Sequence, residues 1–259
     1  MASETKANAG TMAARSATAG RIGDRRRLSS IVAQEITKRI IEGKLKAGDP
    51  LPAEAEICRQ FNVSKPTARE AIDHLSVMGI VRVQQGKQTT VSPLNSLVLE
   101  DFFRYAVQTY PEGLYDIVEL RRGLETEAAA LAAERISDDE AVHLRAISER
   151  LQTGLNSPAE WLSADYEFHS TIVRASKNRL ILQTFNGISE QVRYVQRVCH
   201  MQRDMRVPDY NLKLHLNIAE AIITGEPDHV RGLMFEHFGY VLPFVAAIAS
   251  DKSRRGDIF

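Results

Sequence analysis

Apolar residues recur with the helical period over most of this chain and with the strand period over one short stretch only. Val32, Ile36 and Ile40 share one face of a helix that the pattern starts at Ser29 or Ser30, and Gly43, with Gly48 and Pro50 beyond it, marks the end. A second helix is predicted from Ala53 to Phe61, burying Ile57, Cys58 and Phe61, and Asn62 with Val63 makes a tight turn out of it. The third, from Ser64 to Leu75, places Ala68, Ala71, Ile72 and Leu75 at i, i+3, i+4 and i+7. Ser64 stands at its N-cap, and Pro66 is tolerated in a first turn, whose N–H groups lack helical partners. Val81-Arg82-Val83 and Thr89-Thr90-Val91 then alternate around Gln84 to Gln88 as the two arms of a β-hairpin. Three short helices followed by a hairpin describe a winged helix-turn-helix.

From about residue 95 the pattern becomes one of long amphipathic helices. A short helix is predicted near Leu97 to Val107, then one from Leu114 to Arg135 with Leu120, Leu124, Ala128 and Leu131 at helical spacing. Ser137 caps a helix carrying Val142, Leu144, Ile147 and Leu151, Ser157-Pro158 opens another to Ala175, and Asn178 opens a long one to Val198. Two more run from about Asp209 to Ile223 and from Pro227 to Ile248. No strand pattern follows Val91, so the expected fold is mainly α: a winged helix-turn-helix and a C-terminal all-α bundle of six or seven helices. The expected boundaries are a disordered basic tail over 1–27, ending in Arg25-Arg26-Arg27, the winged unit over 28–93, the bundle over 94–250 and a tail over 251–259.

Composition narrows the class. With 259 residues, 44% hydrophobic and 25% charged, the chain has room for two ordinary globular domains. No run of about 18 apolar residues is present, and the N-terminus lacks the apolar core of a secretory signal. Two cysteines, Cys58 and Cys199, are too few for a disulfide framework, so a cytoplasmic protein is expected, without a membrane partner. The formal net charge is zero, but residues 1–93 hold 15 Lys and Arg against 9 Asp and Glu, and the rest must be acidic by the same excess. A polyanion suits the first part and not the second.

Two side-chain constellations carry chemistry. Lys65 and Arg69 lie one turn apart on the outer face of the third helix, where they suit nucleic acid; a solvated surface pair is the alternative. Asp165 and His169 share one helix face at i and i+4, and His215 and His237 sit near the middles of the last two helices. Carboxylate and imidazole are borderline ligands suited to Zn, Ni, Mn or Fe, whereas histidines on apolar faces also occur as satisfied core residues.

In these residues the chain resembles the GntR family of bacterial transcriptional regulators. Over 29–93 the carriers are Gly48-Asp49, Leu51-Pro52, Glu54, Val63-Ser64-Lys65, Arg69-Glu70-Ala71, Leu75, Gly79 and Gly86-Lys87. The resemblance implies that the third helix enters the major groove and the hairpin tip the minor groove of double-stranded DNA. Ser64, Lys65, Thr67 and Arg69 would then face DNA from the helix, and Gln85, Gly86 and Lys87 from the wing. Ala55, Lys65 and Gln88 stand where that family usually has arginine, arginine and glycine, so a related but non-standard operator is expected.

Residues 115–240 resemble the FCD effector domain of the FadR subfamily, through Glu119-Leu120-Arg121, Glu125, Asp165, Phe168-His169, Ala175-Ser176, Asn178, His215, Met234 and His237. The resemblance implies a divalent metal ion, Zn first with Ni, Mn or Fe as the others, held by Asp165, His169, His215 and His237. It also implies a small carboxylate effector facing an inward Arg121, whose alternative role is a surface salt bridge to Glu125. The expected protein is a homodimeric repressor on a palindromic operator, and not an enzyme. The alternatives are a metal-dependent enzyme carrying a DNA-binding module and a metal-free acyl-CoA sensor.

Overall fold

The computed structural model of the protein describes residues 24–110, 112–154, 157–201 and 208–250, so the expectations for 1–23 and 251–259 lie outside the described residues. The chain divides into two compact units at Val98/Leu99.

The first unit begins with α1 (residues 24–41), followed by α2 (Glu54–Phe61), α3 (Lys65–Val77), β1 (Val81–Arg82) and β2 (Thr90–Val91). Helix α1 starts several residues before the serines expected to open it, so Arg25, Arg26 and Arg27 belong to a helix and not to a tail. Arg25 Nε reaches the Glu70 carboxylate of α3 at 2.9 Å, which gives the early turn a tertiary partner. Asn62 closes α2 in the left-handed region at φ 51°, where asparagine is among the few side chains tolerated, and the chain turns directly into α3. Ser64 caps α3 by accepting from the Thr67 amide at 3.4 Å. Val32, Ile36, Leu51, Ile57, Ala68, Ala71, Leu75, Val81 and Val91 form the core. The hairpin pairs Val81 with Val91 and Arg82 with Thr90, and Pro50 bridges Thr90 on the other side. Its tip turns at Gly86, whose φ of 72° belongs to the left-handed region that favours glycine.

The second unit is helical throughout: most of α4 (Leu97–Thr109), then α5 (Gly113–Arg135), α6 (Asp138–Thr153), α7 (Pro158–Ala175), α8 (Arg179–Gly187), α9 (Ser189–Met201), α10 (Pro208–Ile223) and α11 (Pro227–Ser250). Helix α5 is central, packing most extensively on α11 and also on α7, α10 and α9. Its buried face is not the expected leucine stripe. Leu114, Ile117, Val118, Arg121, Glu125, Ala128, Ala129 and Ala132 face inward, while Leu120 is exposed. Small alanines let neighbouring helices approach α5 on several sides, and the larger leucines fall at the margin. The helix expected from Asn178 to Val198 is two helices, broken after Gly187. A Cβ on Gly187 would lie 2.6 Å from Leu99 Cβ, so α4 crosses there at a distance only glycine allows, and Ile188 turns fully inward.

Ser137 caps α6 in a reciprocal capping box with Glu140, as the sequence predicts. On this helix Leu144 is fully buried, whereas Val142 is 68% exposed. Leu144→Ala is expected to cost about 2–5 kcal/mol in denaturant unfolding and Val142→Ala less than about 0.5 kcal/mol.

Candidate metal centre and DNA-reading surface

Three helices bring four polar side chains to one point inside the second unit. Helix α7 supplies Asp165 and His169 one turn apart, α10 supplies His215, and α11 supplies His237. All four are buried, at 7%, 1%, 0% and 3% exposure. One nitrogen from each imidazole lies within 4.8 Å of the others. Asp165 Oδ1 stands 2.8 Å from His215 Nε2 and 3.9 Å from His169 Nε2, while its other oxygen accepts from Gln196 Nε2 at 2.5 Å. The close His215 contact does not have the direction of a hydrogen bond, and His237 Nδ1 has no partner among the described residues.

Burying such a cluster without partners is costly, and a cation at its centre would satisfy the nitrogens and the carboxylate together. The outer contacts favour that arrangement. His169 Nδ1 donates to Glu125 Oε2 at 2.5 Å and His215 Nδ1 to the Asn211 carbonyl at 2.7 Å, so each ring turns its Nε2 toward the cluster. The electrostatics agree. Burial opposes ionisation of Asp165, but its contact with His215 holds it well below the usual carboxylate range. Burial, reinforced by His215 and His169, pushes His237 well below the ordinary histidine range, toward the neutral form that ligation needs. The residues fit a borderline divalent metal ion.

A cavity of about 60 Å³ opens beside the cluster, lined by Arg121, Asp165, His169, Cys199, His237 and Phe238 among others. Arg121 is 3% exposed and its Nε donates to Glu125 Oε1 at 2.6 Å. The ion pair weighed from the sequence is therefore present but buried, and Arg121 Nη2 has no hydrogen-bond partner among the described residues. Burial pushes the Cys199 thiol up to about 12, which keeps it protonated and out of thiolate chemistry. Glu167 turns away from the ligands toward Arg150 at 2.5 Å and His143 at 3.4 Å. Arg193 and Arg197 are exposed and stack over Tyr166 and Tyr194 rather than lining the cavity. His74, His143 and His229 are exposed, and the side chain of His200 lies outside the described residues.

On the first unit, Lys65 and Arg69 project from α3 with 66% and 59% of their side chains exposed. They are not free. Arg69 Nε donates to Glu54 Oε1 at 2.9 Å, and Lys65 Nζ lies 3.8 Å from Glu54 Oε2. The Arg69 Nη groups remain as a fork. Thr67 departs from the expected outward set: it is 3% exposed, with its hydroxyl 2.8 Å from Ser64 Oγ, because N-terminal capping turns it inward. Gln85, Gly86 and Lys87 are exposed at the wing tip. Gln88 ties the wing to the segment before α2, donating to the Leu51 carbonyl at 3.1 Å.

Residues 28–91 match the family described as bacterial regulatory proteins, gntR family, and residues 116–240 match the FCD domain. The Glc operon transcriptional activator of Escherichia coli is 32% identical over 172 residues, covering 64% of this chain and 68% of that protein. The chain belongs to the GntR family. A second E. coli protein, provisionally named as the L-lactate dehydrogenase operon regulatory protein, is 30% identical over 250 residues, covering 90% of the regulator and 92% of itself. The solved structure of Streptococcus agalactiae GntR aligns with a TM-score of 0.63 at 25% identity, covering 83% of the regulator and 99% of that chain. The protein is thus a DNA-binding transcriptional regulator with an FCD domain, and not an enzyme.

Three contacts of this GntR-family regulator escaped sequence reasoning: Glu125 behind His169, Gln196 behind Asp165, and Glu54 behind Arg69. The signal for Glu125 was available. Val118, Arg121, Glu125 and Ala128 recur at helical spacing, which places the ion pair on an apolar, inward face. Gln196 and Glu54 act across helices, where no local spacing reports them.

Proposed function

We propose that the regulator senses a small carboxylate at a metal centre formed by Asp165, His169, His215 and His237, with Arg121 neutralising the acid. The observation that carries this reading is the convergence of three buried imidazoles beside a cavity that His169, His237 and Arg121 line, Arg121 Nη2 having no hydrogen-bond partner among the described residues. When bound, the divalent ion, Zn first among Zn, Ni, Mn and Fe, supplies a Lewis-acidic anchor for the carboxylate oxygens. Gln196 holds Asp165, Glu125 holds His169, and the Asn211 carbonyl holds His215 in ligating orientation.

A short hydroxy or oxo acid is in keeping with the lactate-operon name of one relative. In this scheme residues 28–93 form the DNA-binding domain and 94–250 the effector-binding and dimerisation domain of a cytoplasmic homodimer. Ser64, Lys65, Arg69, Gln85, Gly86 and Lys87 contact each half of a palindromic operator, the regulator represses by occupying it, and the acid acts through unequal affinity for two states.

A thermal-shift screen of glycolate, L-lactate, pyruvate and longer acids on zinc-loaded protein tests the sensor. A short acid at about 100 times its Kd is expected to add roughly 2.7 kcal/mol, read as a higher Tm. Stabilisation by none of these acids overturns the carboxylate reading. In vitro transcription from the operator-bearing promoter reads the sign of the response, and repression relieved by the acid is expected.

A further inference from the structure

Glu125 has 0% exposure, and its two carboxylate oxygens serve different halves of the site. Oε1 accepts from Arg121 Nε at 2.6 Å on the same helix, while Oε2 accepts from His169 Nδ1 at 2.5 Å across the α5/α7 contact. On the far side of this relay, Arg121 keeps Nη2 unpaired, and His169 turns Nε2 toward Asp165 at 3.9 Å. One buried carboxylate therefore fixes the guanidinium that would meet an acid and the imidazole that would meet an ion.

We infer that Glu125 is a positioning residue that couples acid binding at Arg121 to metal binding at His169; this rests on the metal-and-carboxylate reading above. An anion on Nδ1–H fixes the ring with its Nε2 lone pair facing the cluster and makes that nitrogen a stronger donor to a cation. Arg121 competes for the same carboxylate charge. An acid that engages Nη2 draws positive charge away from Glu125, leaving more of its negative charge to His169. Acid and ion then strengthen each other's binding, and by linkage the effect is equal in both directions.

The test titrates zinc alone into metal-stripped full-length protein against a competing chelator at fixed pH. Glu125→Gln keeps the shape and removes the charge, and is expected to weaken zinc binding about 10–100-fold. Arg121→Gln is expected to tighten zinc severalfold in the wild-type background and to lose most of that gain in the Glu125→Gln background. Zinc affinity of Glu125→Gln within about twofold of wild type, or an Arg121→Gln effect equal in both backgrounds, overturns the coupling. Proton NMR of His169 Nδ1–H is the second readout should Glu125→Gln fail to fold. The resonance is expected to move on Arg121→Gln, and an unmoved one overturns the coupling as well. Wild-type protein that takes up no zinc, manganese or nickel overturns the metal reading together with this one, which distinguishes the two failures.

Discussion

Arg69→Ala is expected to abolish sequence-specific retardation of operator DNA while zinc uptake and acid-induced stabilisation remain at wild-type level. The guanidinium projects from the exposed face of α3 with its Nε on Glu54 and its Nη fork unoccupied. A fork of that kind matches guanine O6 and N7 and discriminates by about 1–3 kcal/mol for each bidentate contact. In a dimer both half-sites lose it, so the loss in specific affinity is doubled on an additive reckoning. Lys65→Ala serves as the contrast. A phosphate contact carries affinity without sequence information, so this variant should bind all DNA more weakly and with a shallower salt dependence. Operator DNA selected from random sequence with the wild-type protein supplies the probe. Unchanged retardation by Arg69→Ala would remove it as the base reader.

Wild-type protein purified without chelators is expected to carry a stoichiometric metal, as read by elemental analysis, and His169→Ala to lose it. His169 is one of three imidazoles within 4.8 Å of one another and the one with a carboxylate behind it. Its loss should exceed the roughly 100-fold that removal of an outer partner costs. The consequence for stability follows from mass action. Metal at about 1,000 times its Kd stabilises the folded state by roughly 4.1 kcal/mol, so a chelator should lower the Tm of wild type and leave that of His169→Ala unmoved. Acidification acts in the same direction, because protonated imidazole cannot ligate. Wild-type protein that carries no metal under these conditions would exclude the centre.

The winged unit was largely legible because its signals are local: a capping serine, a proline in a first turn, four apolar residues on one face of α3, and an alternating hairpin. What was not legible depends on partners distant in sequence. The first turn of α1 carries arginines that read as a tail, and its contact with Glu70 lies 45 residues away. Thr67 is outward by the family resemblance, yet its hydroxyl packs on the capping serine. In α5 the buried alanines were outweighed by the more hydrophobic leucines, although close packing on α11 and α7 favours the smaller side chains. The four residues of the aspartate–histidine cluster could be named one by one, two of them from i, i+4 spacing. Their convergence needed three helices of the bundle, which no spacing encodes.

The Glu54 carboxylate, shared between Arg69 and Lys65, bears on how such a protein finds its target. A regulator meets vast stretches of irrelevant sequence for each operator, and its dwell time on them rises with every unpaired cation it offers to phosphate. With one acid tethering two bases, α3 travels partly neutralised. Glu54→Gln should therefore lengthen residence on random DNA, slowing the search even where affinity for the operator itself increases.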